Sequence, residues 1–269
     1  MTPPTSSQAA LSLDLYNQGL SKVPEWIWEY KSLEKLNLAE NQLTSISEKI
    51  GNLSKLRMLD LGHNDLKTLP ESLHKLKRLE FLYLSNNRFT SISQNIKNLK
   101  AIIYLNITDN LLTSIPESIG KLSNLIEFRL YNNQIASLPN TIGDLKNLQE
   151  LHAMNNKLTT LPKSIGKLKS LKKLDLQGNA ISSLPDSISD MLRVTDLNLR
   201  FNQLTSLPSS IGDLKNLRFL DLRANQLTSL PKGIASLKKL EKLDLRWNNL
   251  ISLPNWFKKL EKQGCIIYL

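Results

Sequence analysis

The feature that most constrains this chain is an asparagine that recurs with a fixed spacing of 23 residues. The members of this series are Asn41, Asn64, Asn87, Asn110, Asn133, Asn156, Asn179, Asn202, Asn225 and Asn248. The leucines keep the same step, from Leu13 and Leu15 at one end to Ile266 and Tyr268 at the other. A fixed period of about 20–29 residues is typical of an array of stacked repeats, in which each repeat contacts its neighbours. The chain is therefore predicted to form a solenoid.

The pattern inside each repeat predicts one short strand and one short turn. Each repeat reads L-x-x-L-x-L-x-x-N-x-L and continues as L-P-x-x-I-x-x-L, as in the stretch LPSSIGDLKNL at 207–217. Side chains alternate along a strand, so the leucines of L-x-L point to one side and the residues between them to the other. Stacking is needed to bury the leucines, and it places twelve short strands in a parallel sheet. The Pro and Ile spacing favours a short 3₁₀ or α turn opposite the sheet.

The recurring asparagine is interpreted as a structural ladder. An asparagine side chain both donates and accepts hydrogen bonds, so it can satisfy backbone groups that are buried where the chain turns. Those groups include backbone atoms of the neighbouring repeat. The repeated phrase NQLTSLP, at 202–208 and 225–231, is therefore predicted to be scaffold and not a ligand site.

These motifs resemble those of leucine-rich-repeat proteins of the 23-residue LPxxIxxLxxL type, and the resemblance covers almost the whole chain. It implies an α/β solenoid, a horseshoe with a parallel concave β-sheet and short 3₁₀ or α turns on the convex side. Bacterial repeat proteins that engage host or cell-surface proteins have this pattern, as do intracellular scaffolds that bind small GTPases. We expect a disordered tail over residues 1–9 and a single repeat domain over 10–269, with about 11 full repeats and a terminal capping strand.

Several classes of protein and site do not fit the sequence. No apolar run approaches the length of about 18 residues that spans a membrane, so no integral membrane contact is expected. Cys265 is the single cysteine, so it can form no internal disulfide, and it lies about five strands from His152, too far for a catalytic pair. No phosphate loop or zinc-protease motif is present. We expect no enzyme activity, no cofactor and no metal. Two locations stay open: a bacterial surface or secreted protein if a signal was removed, and otherwise the cytoplasm.

Charge argues against nucleic acid as the partner. The chain has 35 Lys and Arg against 24 Asp and Glu, a formal net charge of +11. We number each repeat from its first leucine, so that the asparagine is position 9; positions 3, 5, 7, 8 and 10 are predicted to face the concave side. These positions hold nine basic and eleven acidic side chains, a net of −2, which leaves +13 elsewhere. Most of that excess is lysine of the convex segments and is interpreted as solvated surface.

Two groups of side chains are candidates for partner binding at these positions. The first group is Met58, Phe81, Tyr83, Tyr104, Arg129, Tyr131, His152 and Met154. Aromatic residues and arginine are typical anchors of protein interfaces, although aromatic residues also favour strands for packing alone. The second group is Arg200, Phe201, Phe219, Arg223, Arg246 and Trp247. Its arginines lie two residues after Asn198, Asp221 and Asp244, which fits either a self-neutralising Arg–Asp ladder or a binding patch.

The sequence thus predicts a non-catalytic module that recognises a protein partner, of unknown identity, with its concave face. In a bacterial pathogen, that partner would be a host or cell-surface protein. Two alternatives stay open: a structural solenoid that self-associates through the apolar terminal strand CIIYL at 265–269, and an intracellular scaffold for a signalling GTPase.

Overall fold

The computed structural model describes residues 11–269, which fall into two compact units. Unit 1 ends at Asn133, and unit 2 runs from Gln134 to Leu269. The predicted tail, residues 1–9, lies outside the described residues.

Residues 11–133 of unit 1 contain six short strands, each parallel to the next in chain order. They are β1 (Ser12–Asp14), β2 (Lys35–Asn37), β3 (Met58–Asp60), β4 (Phe81–Tyr83), β5 (Tyr104–Asn106) and β6 (Glu127–Arg129). Five 3₁₀ turns alternate with them, η1 (Glu25–Glu29), η2 (Glu48–Asn52), η3 (Glu71–Lys75), η4 (Gln94–Asn98) and η5 (Glu117–Lys121). Each strand pairs with the next at an offset of one full repeat, as Leu59 does with Leu82. The period in the sequence is therefore the register of the sheet.

Residues 134–269 of unit 2 repeat this arrangement with a different ending. The strands are β7 (Glu150–His152), β8 (Lys173–Asp175), β9 (Asp196–Asn198), β10 (Phe219–Asp221), β11 (Lys242–Asp244) and β12 (Ile266–Tyr268). The turns are η6 (Asn140–Asp144), η7 (Lys163–Lys167), η8 (Asp186–Asp190), η9 (Ser209–Asp213) and η10 (Lys232–Ser236), followed by one short helix, α1 (Phe257–Lys262). The predicted fold class, a leucine-rich solenoid with parallel strands and short 3₁₀ turns, is confirmed. No helix within residues 11–269 has the length and apolar character that would let it cross a bilayer.

The last strand corrects the predicted leucine frame. Ile266 and Tyr268 were expected to occupy the inward positions, one repeat period after Leu243 and Leu245. The structure pairs Leu243 with Ile267 instead, the residue that follows the expected partner. The segment that carries α1 is longer by a single residue, and such a shift turns every side chain of a strand to the other face. Ile266 and Tyr268 are therefore exposed.

The asparagine at position 9 ties each repeat to the repeat before it. In unit 1, the Asn110 amide donates to the carbonyl of Ile107 in its own repeat at 3.2 Å and to that of Leu84 in the preceding repeat at 2.9 Å. Its Oδ1 accepts from the backbone N–H of Phe89 at 3.1 Å. Asn202 and Asn225 in unit 2 make the corresponding bonds. One buried side chain thus serves backbone groups from two repeats.

The residue at position 8 adopts a left-handed backbone conformation that turns the chain out of the strand. Its φ is positive in every repeat from the second onward: Glu40, His63, Asn86, Asp109, Asn132, Asn155, Gly178, Phe201, Ala224 and Trp247. Asn, Asp, His and Gly are the residues that tolerate this conformation best. At Gly178 an added Cβ would lie 2.3 Å from the Oδ1 of Asn155, so the Asn155 side chain would have to move to make room for it.

Candidate functional site

The candidate binding residues lie on the face of the sheet that is opposite the leucines, which we call the open face. In strands β3 to β6 the central residue is buried and the residues on either side of it are half-buried. The alternation arises because successive side chains of a strand point to opposite faces. The side chains at positions 3 and 5 can therefore differ between repeats, whereas the side chain at position 4 is part of the hydrophobic core.

On unit 1 the open face carries an aromatic cluster, defined here as Phe81, Tyr83, Tyr104 and Arg129. The Tyr104 ring is central: its centroid lies 4.9 Å from that of Tyr83 and 6.4 Å from that of Phe81. The Arg129 guanidinium lies over the same ring, 5.6 Å from its centroid. The structure therefore brings together four of the predicted residues from three adjacent strands.

The rings of this cluster are partly buried, and this affects the titration of the two phenols. Burial raises the pKa of Tyr104 to about 12, and it also raises the pKa of Tyr83. A phenol is protonated at neutral pH even at its ordinary pKa of about 10, so both hydroxyls can donate hydrogen bonds to a partner. The Arg129 Nε donates to Glu127 at 2.5 Å, which holds the guanidinium beside the Tyr104 ring. The cluster presents apolar ring faces together with hydroxyl donors.

The remaining residues of the first predicted group are divided between the units. Met58 in β3 and Tyr131, two residues after β6, are half-buried on unit 1. His152 in β7 and Met154 belong to unit 2. The side chain of His152 is only 12% exposed, and its Nε2 lies 2.9 Å from a carboxylate oxygen of Glu150. Little of this histidine is therefore accessible to a partner.

On unit 2 the arginines at position 7 are paired with carboxylates. Asp244 is fully buried. Its Oδ2 lies 2.7 Å from Nη2 of Arg246 and 3.4 Å from Nε of Arg223. Arg223 also lies 2.6 Å from Asp221. Arg200 differs, because its own strand carries Asn198 in place of an aspartate; its Nε donates to Gln177 at 2.6 Å. Two of the three arginines thus form the Arg–Asp ladder, and the third does not.

Asp244 makes this ladder sensitive to acid. Burial opposes its ionisation, but the hydrogen bond from Arg246 and the charge of Arg223 outweigh that effect and lower the pKa of Asp244 below its usual value. A carboxyl whose pKa is lower in the folded state stabilises the fold above its unfolded pKa, about 3.9. That stabilisation is lost as the pH falls through the lower, folded value.

Asp244→Asn is therefore expected to lower the free energy of unfolding at pH 7 by about 2 kcal/mol, since it removes the buried carboxylate that both Arg246 and Arg223 contact. At pH 3 and below, the difference from the unsubstituted chain should shrink. Denaturant unfolding at both pH values measures it. Asp221→Asn is the matched control, because Asp221 is more exposed and contacts Arg223 alone among these arginines. Equal losses for the two variants at pH 7 would argue against a central role for Asp244.

The aromatic residues of the second predicted group form one pair and one separate contact. Phe201 and Trp247 are 47% and 67% exposed, and their ring centroids are 6.3 Å apart. Phe219 in β10 is half-buried, and the Cζ of Arg218 lies over its ring, 5.2 Å from the ring centroid.

Tyr268 was missed as a candidate. Its ring lies 5.0 Å from the Lys242 Nζ and 5.0 Å from the Arg246 Cζ. The sequence feature that could have identified Tyr268 is the extra residue before β12. This residue shifts the register of the strand and places Tyr268 beside Asp244 on the open face.

Family models match most of the chain. A model described as "Leucine rich repeat" matches residues 31–89 and, in overlapping stretches, 169–227, 193–250 and 215–262, which together exceed half of the chain. A second, described as "Leucine-rich repeat region", matches residues 90–177. No curated protein sequence matches the chain.

Solved structures share the fold. A leucine-rich-repeat protein of Leptospira interrogans is 28% identical with a TM-score of 0.67, over 96% of this chain and 95% of that one. A TDR receptor is 30% identical with a TM-score of 0.86, over 97% and 47%. A chain of the Toll–Spätzle complex of Drosophila is 26% identical with a TM-score of 0.82, over 93% and 35%. The chain thus spans nearly all of the Leptospira protein and less than half of the other two. The predicted likeness to bacterial leucine-rich-repeat proteins is confirmed.

Proposed function

Because the chain belongs to the leucine-rich-repeat family, we propose that it is a non-catalytic module that binds a protein partner through the open face of its sheet. The fold is commonly a scaffold for protein interaction, and one similar chain is part of the Toll–Spätzle complex. Fold alone does not assign function, so the proposal depends on the residues of the open face.

The observation that carries the proposal is the aromatic cluster of unit 1. The core beneath it is already filled by Leu82, Leu105 and Phe128, which are at most 1% exposed. The fold does not require aromatic rings above that core, because the same positions in β2 hold Lys35 and Asn37. Half-exposed tyrosines with an adjacent arginine are the composition of interface hot spots. The cluster is therefore best explained as a set of anchors for a partner.

The class of partner that we propose is a host or cell-surface protein met by a bacterium. The likeness to the Leptospira protein supports a bacterial setting, since it extends over nearly the full length of both chains. The cluster supports a protein as the ligand, because tilted rings and phenol donors suit a surface that is partly apolar and partly polar.

The proposal is tested by capture with matched variants. The chain is immobilised and exposed to solubilised surface proteins, together with a Tyr83→Ala/Tyr104→Ala variant and a Tyr16→Ala variant. Tyr16 is also an exposed tyrosine of unit 1, but it follows β1, about 14 Å from β4 at the usual strand spacing. We expect a protein that is retained by the unsubstituted chain and by Tyr16→Ala and lost from the double variant. Retention that is unaffected by the double substitution would place the contact elsewhere.

The lysines of the turns are not proposed to bind nucleic acid or membranes. Some of them already donate to backbone carbonyls of the next repeat, as Lys100 does to Lys121 at 3.0 Å and Lys169 does to Asp190 at 2.9 Å. Binding to duplex DNA or to anionic vesicles is therefore expected to be weak and to vanish by about 0.15 M salt, where screening is strong. Titrations at two salt concentrations decide this, and salt-resistant, sequence-dependent DNA binding would contradict the assignment.

A further inference from the structure

Position 8 changes character in the last three full repeats. From the second to the eighth repeat it holds Glu40, His63, Asn86, Asp109, Asn132, Asn155 and Gly178; from the ninth to the eleventh it holds Phe201, Ala224 and Trp247. In unit 1 the polar side chains are linked along the sheet. The Nδ1 of His63 lies 3.1 Å from Oε1 of Glu40, and its Nε2 lies 3.2 Å from the amide nitrogen of Asn86. The side-chain amide of Asn132 donates to Oδ1 of Asp109 at 2.7 Å. In unit 2, Phe201 and Trp247 occupy the same left-handed conformation with bulky aromatic side chains.

These two aromatic residues are costly for the backbone and give the core nothing in return. Their φ angles are 55° and 59°, in a region that large side chains rarely adopt. Both side chains are exposed, their ring centroids lie 6.3 Å apart, and Ala224 is the position 8 residue of the repeat between them. Backbone strain of this kind concentrates at functional sites, and exposed rings of this size mark interaction surfaces.

Arg200 precedes Phe201 in the chain and brings a positive charge to the same turn. Arg223 and Arg246 are neutralised by Asp221 and Asp244. Arg200 follows Asn198 and bonds to the neutral Gln177; no carboxylate among residues 11–269 forms a salt bridge with it. The arginine next to Phe201 therefore keeps its charge available to a ligand.

We infer that Phe201, Trp247 and Arg200 form a second binding surface, on unit 2, for a protein segment that carries a carboxylate next to an aromatic or aliphatic side chain. The apolar side chain stacks on the Phe201–Trp247 pair, and the carboxylate pairs with the Arg200 guanidinium. The surface shares no residue with the aromatic cluster of unit 1, so either can fail in an experiment without the other.

Charge favours a protein segment over single-stranded nucleic acid, the other ligand that combines with aromatic rings and arginine. The other arginines of the open face near the rings are ion-paired with Asp221 and Asp244, so they offer a chain of phosphates little unpaired positive charge. Arg200 is one charge, whereas nucleic-acid binding draws on several unpaired cations. A single carboxylate is the anion that matches this arrangement.

The first test needs no ligand. Phe201→Asn/Trp247→Asn installs the residue that position 8 holds in other repeats, as at Asn86. If the rings serve binding, the melting temperature of the double variant stays within about 3 °C of that of the unsubstituted chain. The relief of left-handed strain by Asn then offsets the loss of the Phe201–Trp247 contact and of the Arg246 contact with the Trp247 ring. A melting temperature lower by more than about 3 °C shows that the rings stabilise the fold, and it overturns the inference.

The second test uses a displayed library of short random peptides, selected on the unsubstituted chain and then counter-selected on the double Asn variant. We expect enriched peptides with Glu or Asp within about two residues of Trp, Phe or Leu, as the paired contacts require. Their affinity should fall at least about tenfold for the double Asn variant and about fivefold for Arg200→Gln, and should be unchanged for Tyr16→Ala.

Three results would overturn the inference. They are a selection that yields no peptide dependent on the two rings, enriched peptides without an acidic residue, and an oligothymidine that competes with the selected peptides at lower concentration than they bind. The unit 1 variant Tyr83→Ala/Tyr104→Ala should bind the selected peptides as well as the unsubstituted chain does, which separates this surface from the proposed partner site.

Discussion

Replacing Tyr83 and Tyr104 together by alanine is expected to weaken binding of a captured protein partner at least about a hundredfold. Interface energy usually concentrates in a few anchors, each contributing about 2 kcal/mol or more on truncation, and about 1.4 kcal/mol corresponds to a factor of ten. The two rings are adjacent at 4.9 Å, so the substitution removes the centre of the cluster. Calorimetric titration of the partner into each variant measures the change.

The same substitution also removes a ring–ring contact from the fold, which contributes about 1 kcal/mol. Thermal unfolding of the free variants measures that cost separately and should show a modest decrease. Tyr16→Ala controls for the loss of an exposed tyrosine and should retain full affinity. If Tyr16→Ala and the double variant bind equally well, the partner does not use the cluster.

Asn225→Leu is expected to lower the free energy of unfolding by about 3 kcal/mol. Asn225 is 6% exposed, donates to the carbonyls of Leu199 and Leu222, and accepts from the N–H of Leu204 at 3.0 Å. Leucine has a similar volume but leaves at least one buried N–H and one carbonyl without partners, and each costs about 1–3 kcal/mol. The melting temperature should fall by about 6–12 °C for a chain of this size.

Gln226→Ala provides the matched control, one residue away on the exposed side of the turn. Its substitution should shift the melting temperature by no more than about 1–2 °C, as is usual for exposed positions. Similar shifts for the two variants would mean that the asparagine is not the link between repeats, and the structural interpretation of the ladder would be wrong.

The sequence predicted the sheet because the repeat period and the sheet register are the same quantity. Leu59 and Leu82 stand at the same position of successive repeats, and they are partners in the sheet, since each repeat contributes one strand at one level of the stack. Hydrogen bonding by the asparagines could also be anticipated, because a polar side chain inside a leucine frame needs buried partners.

The contacts of the candidate site could not be predicted in the same way. Whether Tyr104 packs on Tyr83 or on Phe81 depends on side-chain rotamers, which a period does not specify. The rings are half-buried in the structure. The register of β12 changed through a single extra residue before it. The left-handed turn at position 8 was detectable from Asn86, Asn132 and Gly178, but only once their common position was considered.

Oxidative footprinting of tyrosine side chains by hydroxyl radicals, with and without the captured partner, tests the central proposal most directly. It reports which rings lose solvent when the complex forms, and it does so without any substitution. We expect strong protection of Tyr83 and Tyr104 and no protection of Tyr16. Unchanged oxidation of Tyr83 and Tyr104 in the saturated complex would contradict partner binding through the aromatic cluster of the open face.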